Sequence, residues 1–276
     1  MKDSENIRKS LLSEDYDRSF TKMIQEFSID SDKRKTKYFS FYPSFGVKKD
    51  TPVEFLIYGQ AVNGWGDECE FKVGNETTID NICKAAYKYS NEYFPYDNHG
   101  PLDWVNVQWC KSEYNKYLNL TEARAAFEEY YCDRYRPSLS FFWNVVYKTV
   151  SDYKEPNSRE TRNWADYVVY SNLYKIAPSP KGNPDEIEKN TQRESAVELV
   201  KMELDQLKPK YCLVLTNLEW WNPFAKELRL EICSQKETKR IQQVAYYGNT
   251  KIIVAKRPFL GDSETYSREI LNSITK

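Results

Sequence analysis

The sequence predicts an α/β protein, a three-layer α/β/α arrangement with a mostly parallel central sheet of about four strands and a helical insertion after the first strand. Three observations carry that expectation. Apolar, β-rich runs at residues 51–59, 167–170, 211–215 and 251–255 have the length of buried strands and not of core helices. Segments with helical spacing separate several of them, as crossovers between parallel strands require. The runs also end in polar or glycine-bearing turns, and open α/β sheets hold ligands beyond the carboxyl ends of their strands.

Residues 1–35 are highly charged, yet Leu11, Leu12, Phe20, Met23, Ile24 and Phe27 mark an apolar stripe, which predicts one or two packed helices. Residues 37–46, KYFSFYPSFG, are aromatic and punctuated by proline and glycine, and predict an extended arm. Residues 1–45 are thus expected to be an N-terminal extension to a single α/β domain over 46–276. The first core strand runs directly into Gly59-Gln60-Ala61-Val62-Asn63-Gly64-Trp65-Gly66-Asp67, where glycines let backbone N–H groups approach a ligand. An aromatic-rich insertion at about 75–136 carries helices predicted at 79–93 and 120–131, the second capped by Thr121. Its Tyr and Trp side chains form a small core of their own, stack on bases or dock a partner. Pro137 then opens a helix predicted over 138–153, with Leu139, Phe142, Trp143, Val146 and Val150 on its apolar face.

The run 167–170 ends in Ser171-Asn172 and is followed by Lys175 and a Pro/Gly/Asn loop. Asn172 and Lys175 therefore stand where a ligand would be read, with turn capping by Asn172 as the alternative. A helix is predicted over 184–207, with Asn183 as N-cap, Pro184 in its first turn and Glu186 completing a capping box. Val197, Val200, Leu204 and Leu207 share one face, and Lys208-Pro209 stops the helix. Asn217 closes the strand at 211–215, and Asn222-Pro223 is expected to start a short helix through Leu228. Residues 229–241 are polar and basic. The last strand ends in Lys256-Arg257-Pro258-Phe259-Leu260-Gly261, before a helix predicted over 263–274.

Lys and Arg number 40 against 41 Asp and Glu, so a net charge of -1 gives no overall attraction to nucleic acid and any such binding must use a local basic patch. No apolar run approaches the ~20 residues of a bilayer crossing, and a cytoplasmic protein without membrane association is expected. A single histidine, His99, excludes a multi-histidine metal centre and any mechanism needing two imidazoles. The six cysteines are scattered without C-x-x-C spacing, which predicts reduced thiols and no metal or cofactor.

The order of these features resembles the uracil-DNA glycosylase superfamily. The resemblance rests on a strand ending in Gly59-Gln60, a strand carrying Asn172 and Lys175 before a Pro-rich loop, a helix closing in Leu207-Lys208-Pro209-Lys210, a strand ending in Asn217, and a strand ending in Arg257-Pro258. It spans roughly 53–276 and is most specific at 169–217, which is similar to the family-4 branch. The resemblance implies the glycosylase fold, a role in DNA repair by base excision, a DNA partner in single- or double-stranded form, and a monomer without cofactor, since the cluster cysteines of that branch are missing. By position, Gly59 to Trp65 would be the first signature loop, Asn172 the asparagine that reads the base, and residues 256–259 the second signature loop. Substrate contacts are expected from Gly59, Gln60, Trp65, Phe71, Asn172, Lys175, Pro258 and Leu260, with Trp65 or Phe71 as a stacking wall and Leu260 near the side chain that wedges into DNA. Two departures bear on the chemistry. The acidic position holds Ala61, so water activation falls to Asn63, Asp67 or Glu68; the histidine is replaced by Arg257, a permanent cation suited to an anionic leaving base unless it serves only a surface salt bridge. Asn63, Asp67 and Arg257 are therefore the candidate catalytic residues, and a binder that has lost the reaction is the alternative.

Overall fold

The chain folds as an α/β protein around the strand β3 (Phe55–Ala61), whose first six residues are all buried. The computed structural model describes residues 11–29, 37–47, 51–62, 69–73, 78–91, 102, 105, 139–154, 164–235 and 238–275. Side chains alternate across a strand, so Phe55 and Ile57 enter one apolar cluster while Leu56 and Tyr58 enter another on the opposite face. A strand buried on both faces reads as a continuous apolar run, which is why β3 was legible.

The other described strands are β1 (Lys37–Ser40), β2 (Ser44–Phe45), β4 (Glu70–Lys72), β5 (Val168–Tyr174), β6 (Ile176–Pro178), β7 (Tyr211–Val214), β8 (Glu231–Gln235), β9 (Ile241–Tyr247) and β10 (Thr250–Ala255). The main sheet has seven strands in the order β2-β5-β3-β7-β10-β9-β8. Within it β5, β3, β7 and β10 run parallel, β2 is antiparallel to β5, and β9 and β8 are added antiparallel at the other edge. The expectation of a mostly parallel sheet of about four strands is therefore corrected to a mixed sheet of seven. The added strands lie at the edges, where burial is incomplete and polar residues such as Gln242 and Gln243 interrupt the apolar pattern. Gly248, at φ 56°, turns β9 into β10. A separate antiparallel sheet, β4-β1-β6, is centred on β1 of the aromatic arm.

Helices cover both faces. On one side lie α1 (Glu14–Ile29), α2 (Ile79–Asn91), α4 (Glu186–Leu207) and α5 (Leu218–Leu228); on the other lie α3 (Phe141–Lys154) and α6 (Ser263–Thr275). Tyr16, Phe20, Met23, Ile24 and Phe27 of α1 are buried in the same cluster as Leu56 and Leu199, so the described N-terminal helix belongs to the main core. Leu139 falls outside α3 and is exposed, contrary to its expected place on the buried face. The predicted helix at 120–131 lies outside the described residues.

Two helix starts are corrected. Helix α4 begins at Glu186 with Asp185 as N-cap: the Asp185 carboxylate accepts from Glu188 N–H at 2.9 Å, and Glu188 accepts from Asp185 N–H at 2.8 Å. A complete capping box two residues further on wins over Asn183 and Glu186, which frees Asn183 for another contact. Helix α5 starts at Leu218, directly after Asn217, and carries Pro223 in its interior. The end of α4 agrees with expectation, with Lys208 left-handed at φ 45° before Pro209. Among the described residues, Cys69, Cys83, Cys212 and Cys233 are free thiols, and no helix is long and apolar enough to cross a membrane.

Three elements and the junction between β5 and β6 meet at one buried carboxylate. Glu203 of α4 accepts from the Tyr16 hydroxyl of α1 at 2.6 Å and the Tyr58 hydroxyl of β3 at 2.7 Å, and pairs with Lys175 Nζ at 2.7 Å. Burial, followed by the Glu203 charge, pushes both phenols well above their usual pKa. Replacing Glu203 by Leu strands the Lys175 ammonium without a countercharge. The expected loss is about 3–5 kcal/mol in urea denaturation, and a loss below about 1 kcal/mol would show that the pair contributes little.

Candidate functional site

The parallel strands β3, β5, β7 and β10 share one carboxyl-terminal rim, and the register of β3 with β5 sets Gly59 opposite Asn172. A Cβ added to Gly59 would lie 2.5 Å from Asn172 Oδ1 and 3.0 Å from the Tyr170 hydroxyl oxygen, so the absence of a side chain at Gly59 is what lets the asparagine lie across the strand. Tyr170 and Asn172 are two apart on β5 and share a face. The Tyr170 ring is packed against Trp143 and Phe142 of α3 and against Phe41, with centroids 4.8, 6.0 and 5.5 Å apart.

The Tyr170 hydroxyl donates to Asn172 Oδ1 at 3.2 Å. Asn172 Nδ2 has no hydrogen-bond partner among the described residues, although the residue is only 1% exposed. A buried donor left in that state costs about 1–3 kcal/mol, a cost that an acceptor on a ligand removes.

Next to Gly59, the Gln60 amide ties three further segments together. Its Nε2 donates to the Thr216 carbonyl at 3.0 Å, and its Oε1 accepts from Arg257 Nη1 at 2.8 Å and from Asn183 Nδ2 at 3.3 Å. Asn217, at φ 80°, donates its N–H to the Ala255 carbonyl at 3.1 Å, and its Oδ1 accepts from Arg257 N–H at 2.6 Å. Lys256 is held on both sides, its N–H donating to the Arg240 carbonyl at 2.9 Å and its carbonyl accepting from the Tyr266 hydroxyl. Arg240 in turn pairs with Glu269. The arginine turn is thus braced from three directions. Among the described residues no carboxylate pairs with Arg257; a neutral amide holds its guanidinium, which leaves the positive charge available to a ligand.

The rim therefore brings together Gly59, Gln60, Asn172 and Arg257, with Pro258 buried at the base of the arginine turn. Leu260 and its neighbour Phe259 project from the same turn, 79% and 73% exposed. Two expected residues are placed elsewhere. Phe71 is buried in β4, its ring 6.1 Å from Tyr38 beneath α1, and is no wall of the rim. Lys175 is committed to Glu203, to Ser171 Oγ at 2.6 Å and to the Asn172 carbonyl at 2.6 Å; burial pushes its ammonium below the ordinary lysine value, against the opposing pull of Glu203. Asn63, Trp65, Asp67 and Glu68 lie outside the described residues.

Sequence reasoning missed Tyr170, Asn183 and Thr216 as rim residues. Two-residue alternation from Asn172 would have found Tyr170; the contacts of Asn183 and Thr216 cross 123 and 156 positions and have no local signal. Among the described residues, no group of three or more His, Cys, Asp or Glu side chains gathers to hold a metal ion. No protein-family model matches the chain, and no curated protein matches it.

Two outcomes follow from this geometry. Gly59→Ala forces the Asn172 amide to move, with an expected loss of about 1–3 kcal/mol in denaturant unfolding; an unchanged midpoint would show that the amide yields freely. For Glu269, burial pushes the carboxyl up, but hydrogen bonds from Thr238 and Arg240 and the Arg240 charge outweigh it and hold the group below the ordinary carboxylate value. The folded state then binds the proton less readily than the unfolded chain, so this stabilisation is complete above about pH 4.5 and is lost as pH falls through the folded value. Glu269→Gln should accordingly unfold more easily than the unaltered protein at neutral pH, and the difference in midpoint should shrink in acid; a gap independent of pH would contradict the assignment.

Proposed function

We propose that the protein is a divergent relative of the uracil-DNA glycosylases that grips a nucleobase of DNA at the strand-end rim and removes a damaged or deaminated base. The observation that carries the reading is the Asn172 amide, buried over Gly59 with Nδ2 unpartnered among the described residues, on the same rim as the Gln60–Arg257 contact. A planar heterocycle supplies the acceptor that Nδ2 lacks. The exposed Phe259-Leu260 tip beside Lys256 and Arg257 supports a nucleic-acid partner, since it combines apolar groups suited to unstacked bases with local positive charge.

In the proposed reaction the C1′–N bond breaks and its electron pair leaves with the base. Water oriented by Asn63 or Asp67 forms the new C1′–O bond, and its proton passes to the Asp67 carboxylate or, where Asn63 only orients the water, to solvent. Arg257 balances the negative charge that develops on the base. No metal or redox cofactor takes part in this scheme.

A second reading, a nucleic-acid or nucleobase binder without turnover, is favoured by Ala61 at the position where the resemblance calls for an acid. One assay separates the two. Release of uracil and other altered bases is measured from single- and double-stranded oligonucleotides. The enzymatic reading expects release that falls at least about 100-fold in Asn172→Ala and in Asn63→Ala, within the range of lost transition-state contacts. Salt-dependent binding without release would select the binder.

A further inference from the structure

Asn217 stands between Thr216, whose carbonyl holds Gln60, and Leu218, the first residue of α5. Its backbone, at φ 80° and ψ 150°, lies in a region that is essentially reserved for glycine, because a Cβ crowds the flanking peptide groups there. Asparagine is tolerated in the left-handed helical region, at ψ of about 30–60°, and Asn217 is well outside it. The other described non-glycine residues at positive φ, Lys208 and Arg229, are helix C-caps inside that ordinary region. Asn217 also occupies the N-cap position of α5, where an asparagine side chain ordinarily accepts from the first turn, and it makes no such bond. The Leu218 N–H goes instead to Gln242 Oε1 at 2.9 Å.

What Asn217 holds is the arginine turn. Its N–H donates to the carbonyl of Ala255, the last residue of β10, at 3.1 Å, and its Oδ1 accepts from Arg257 N–H at 2.6 Å. The Arg257 guanidinium then reaches Gln60 Oε1 at 2.8 Å, on the strand at the far side of β7. We infer that Asn217 is a positioning residue which aims the Arg257 guanidinium across the end of β7 at Gln60, and that its strained backbone and missing cap serve the site and not the scaffold. The inference rests on the reading above, in which Arg257 balances charge on a departing base, and adds the residue that fixes where that charge stands. With glycine at this position the strain is relieved and α5 loses no cap, but the Arg257 N–H loses its acceptor and the guanidinium is released from Gln60.

Asn217→Gly, Arg257→Ala and the double variant test it. The thermal midpoint of Asn217→Gly should stay within about 3 °C of the unaltered protein or rise, because relieved strain offsets the lost hydrogen bond and the looser unfolded chain. Asn217→Ala keeps the strain, loses the bond and should melt below both. In proton–nitrogen correlation spectra, the Gln60 side-chain amide resonance should move in Asn217→Gly towards its place in Arg257→Ala, and no further in the double variant. Base release should fall at least about tenfold in Asn217→Gly, through kcat more than KM, and the double variant should be no slower than Arg257→Ala alone. A Gln60 resonance unmoved by Asn217→Gly, losses that multiply in the double variant, or a glycine variant less stable than the alanine variant overturns the inference and leaves the base-releasing reading standing. Absence of release from the unaltered protein overturns that reading, while the resonance and the midpoints still decide the role of Asn217.

Discussion

The register of β3 against β5 constrains everything at the rim. Because Gly59 pairs with Asn172, the one residue on β3 without a side chain faces the one amide on β5 that needs the space. A shift of one residue would send Asn172 to the opposite face and put Gln60 where glycine is required. The apolar runs on either side prevent that shift, since Phe55 and Ile57 on β3 and Val168 on β5 must stay in one cluster while Leu56, Tyr58, Val169 and Leu173 stay in the other.

Opposite sides of the same two strands carry opposite electrostatic solutions. On the α4 side, Lys175, Glu203, Tyr16 and Tyr58 satisfy one another within a dry core, so charge there is spent on holding helices to the sheet. On the α3 side, the Asn172 amide keeps one group without a partner among the described residues. At the rim above them, Arg257 is held by a neutral acceptor, and no described carboxylate pairs with it. Buried polar groups with full partnership belong to the scaffold, whereas incomplete partnership marks the place where a ligand has something to supply.

Much of the rim was legible because strand ends are marked locally. Gly59-Gln60, Asn172 and Arg257-Pro258 stood out as polar or glycine-bearing residues closing apolar runs, and parallel topology forces such ends to one edge. Lys175 was drawn into the same set by proximity along the chain. Three residues beyond Asn172 its side chain turns into the opposite face of the sheet and meets Glu203, 28 positions downstream, a partner that no local pattern announces. Phe71 was similarly misplaced, because the strand β4 that buries it is only three residues long and pairs with the aromatic arm. The helix starts at α4 and α5 differ for a local reason: a later capping box displaced Asn183, and Pro223 was accommodated inside α5.

By itself, the sequence determined the α/β class, the interior strands and the identity of the polar residues that end them, because burial on both faces and backbone stereochemistry are written in short-range patterns. Tertiary structure alone decided the breadth and mixed sense of the sheet, the capture of Lys175 by Glu203, and the joining of Gln60 to Arg257 across 197 positions. It also decided which half of the Asn172 amide is spent and which is left over. Each of those outcomes depends on a partner distant in sequence, and hydrogen-bond pairing at such range is set by three-dimensional packing.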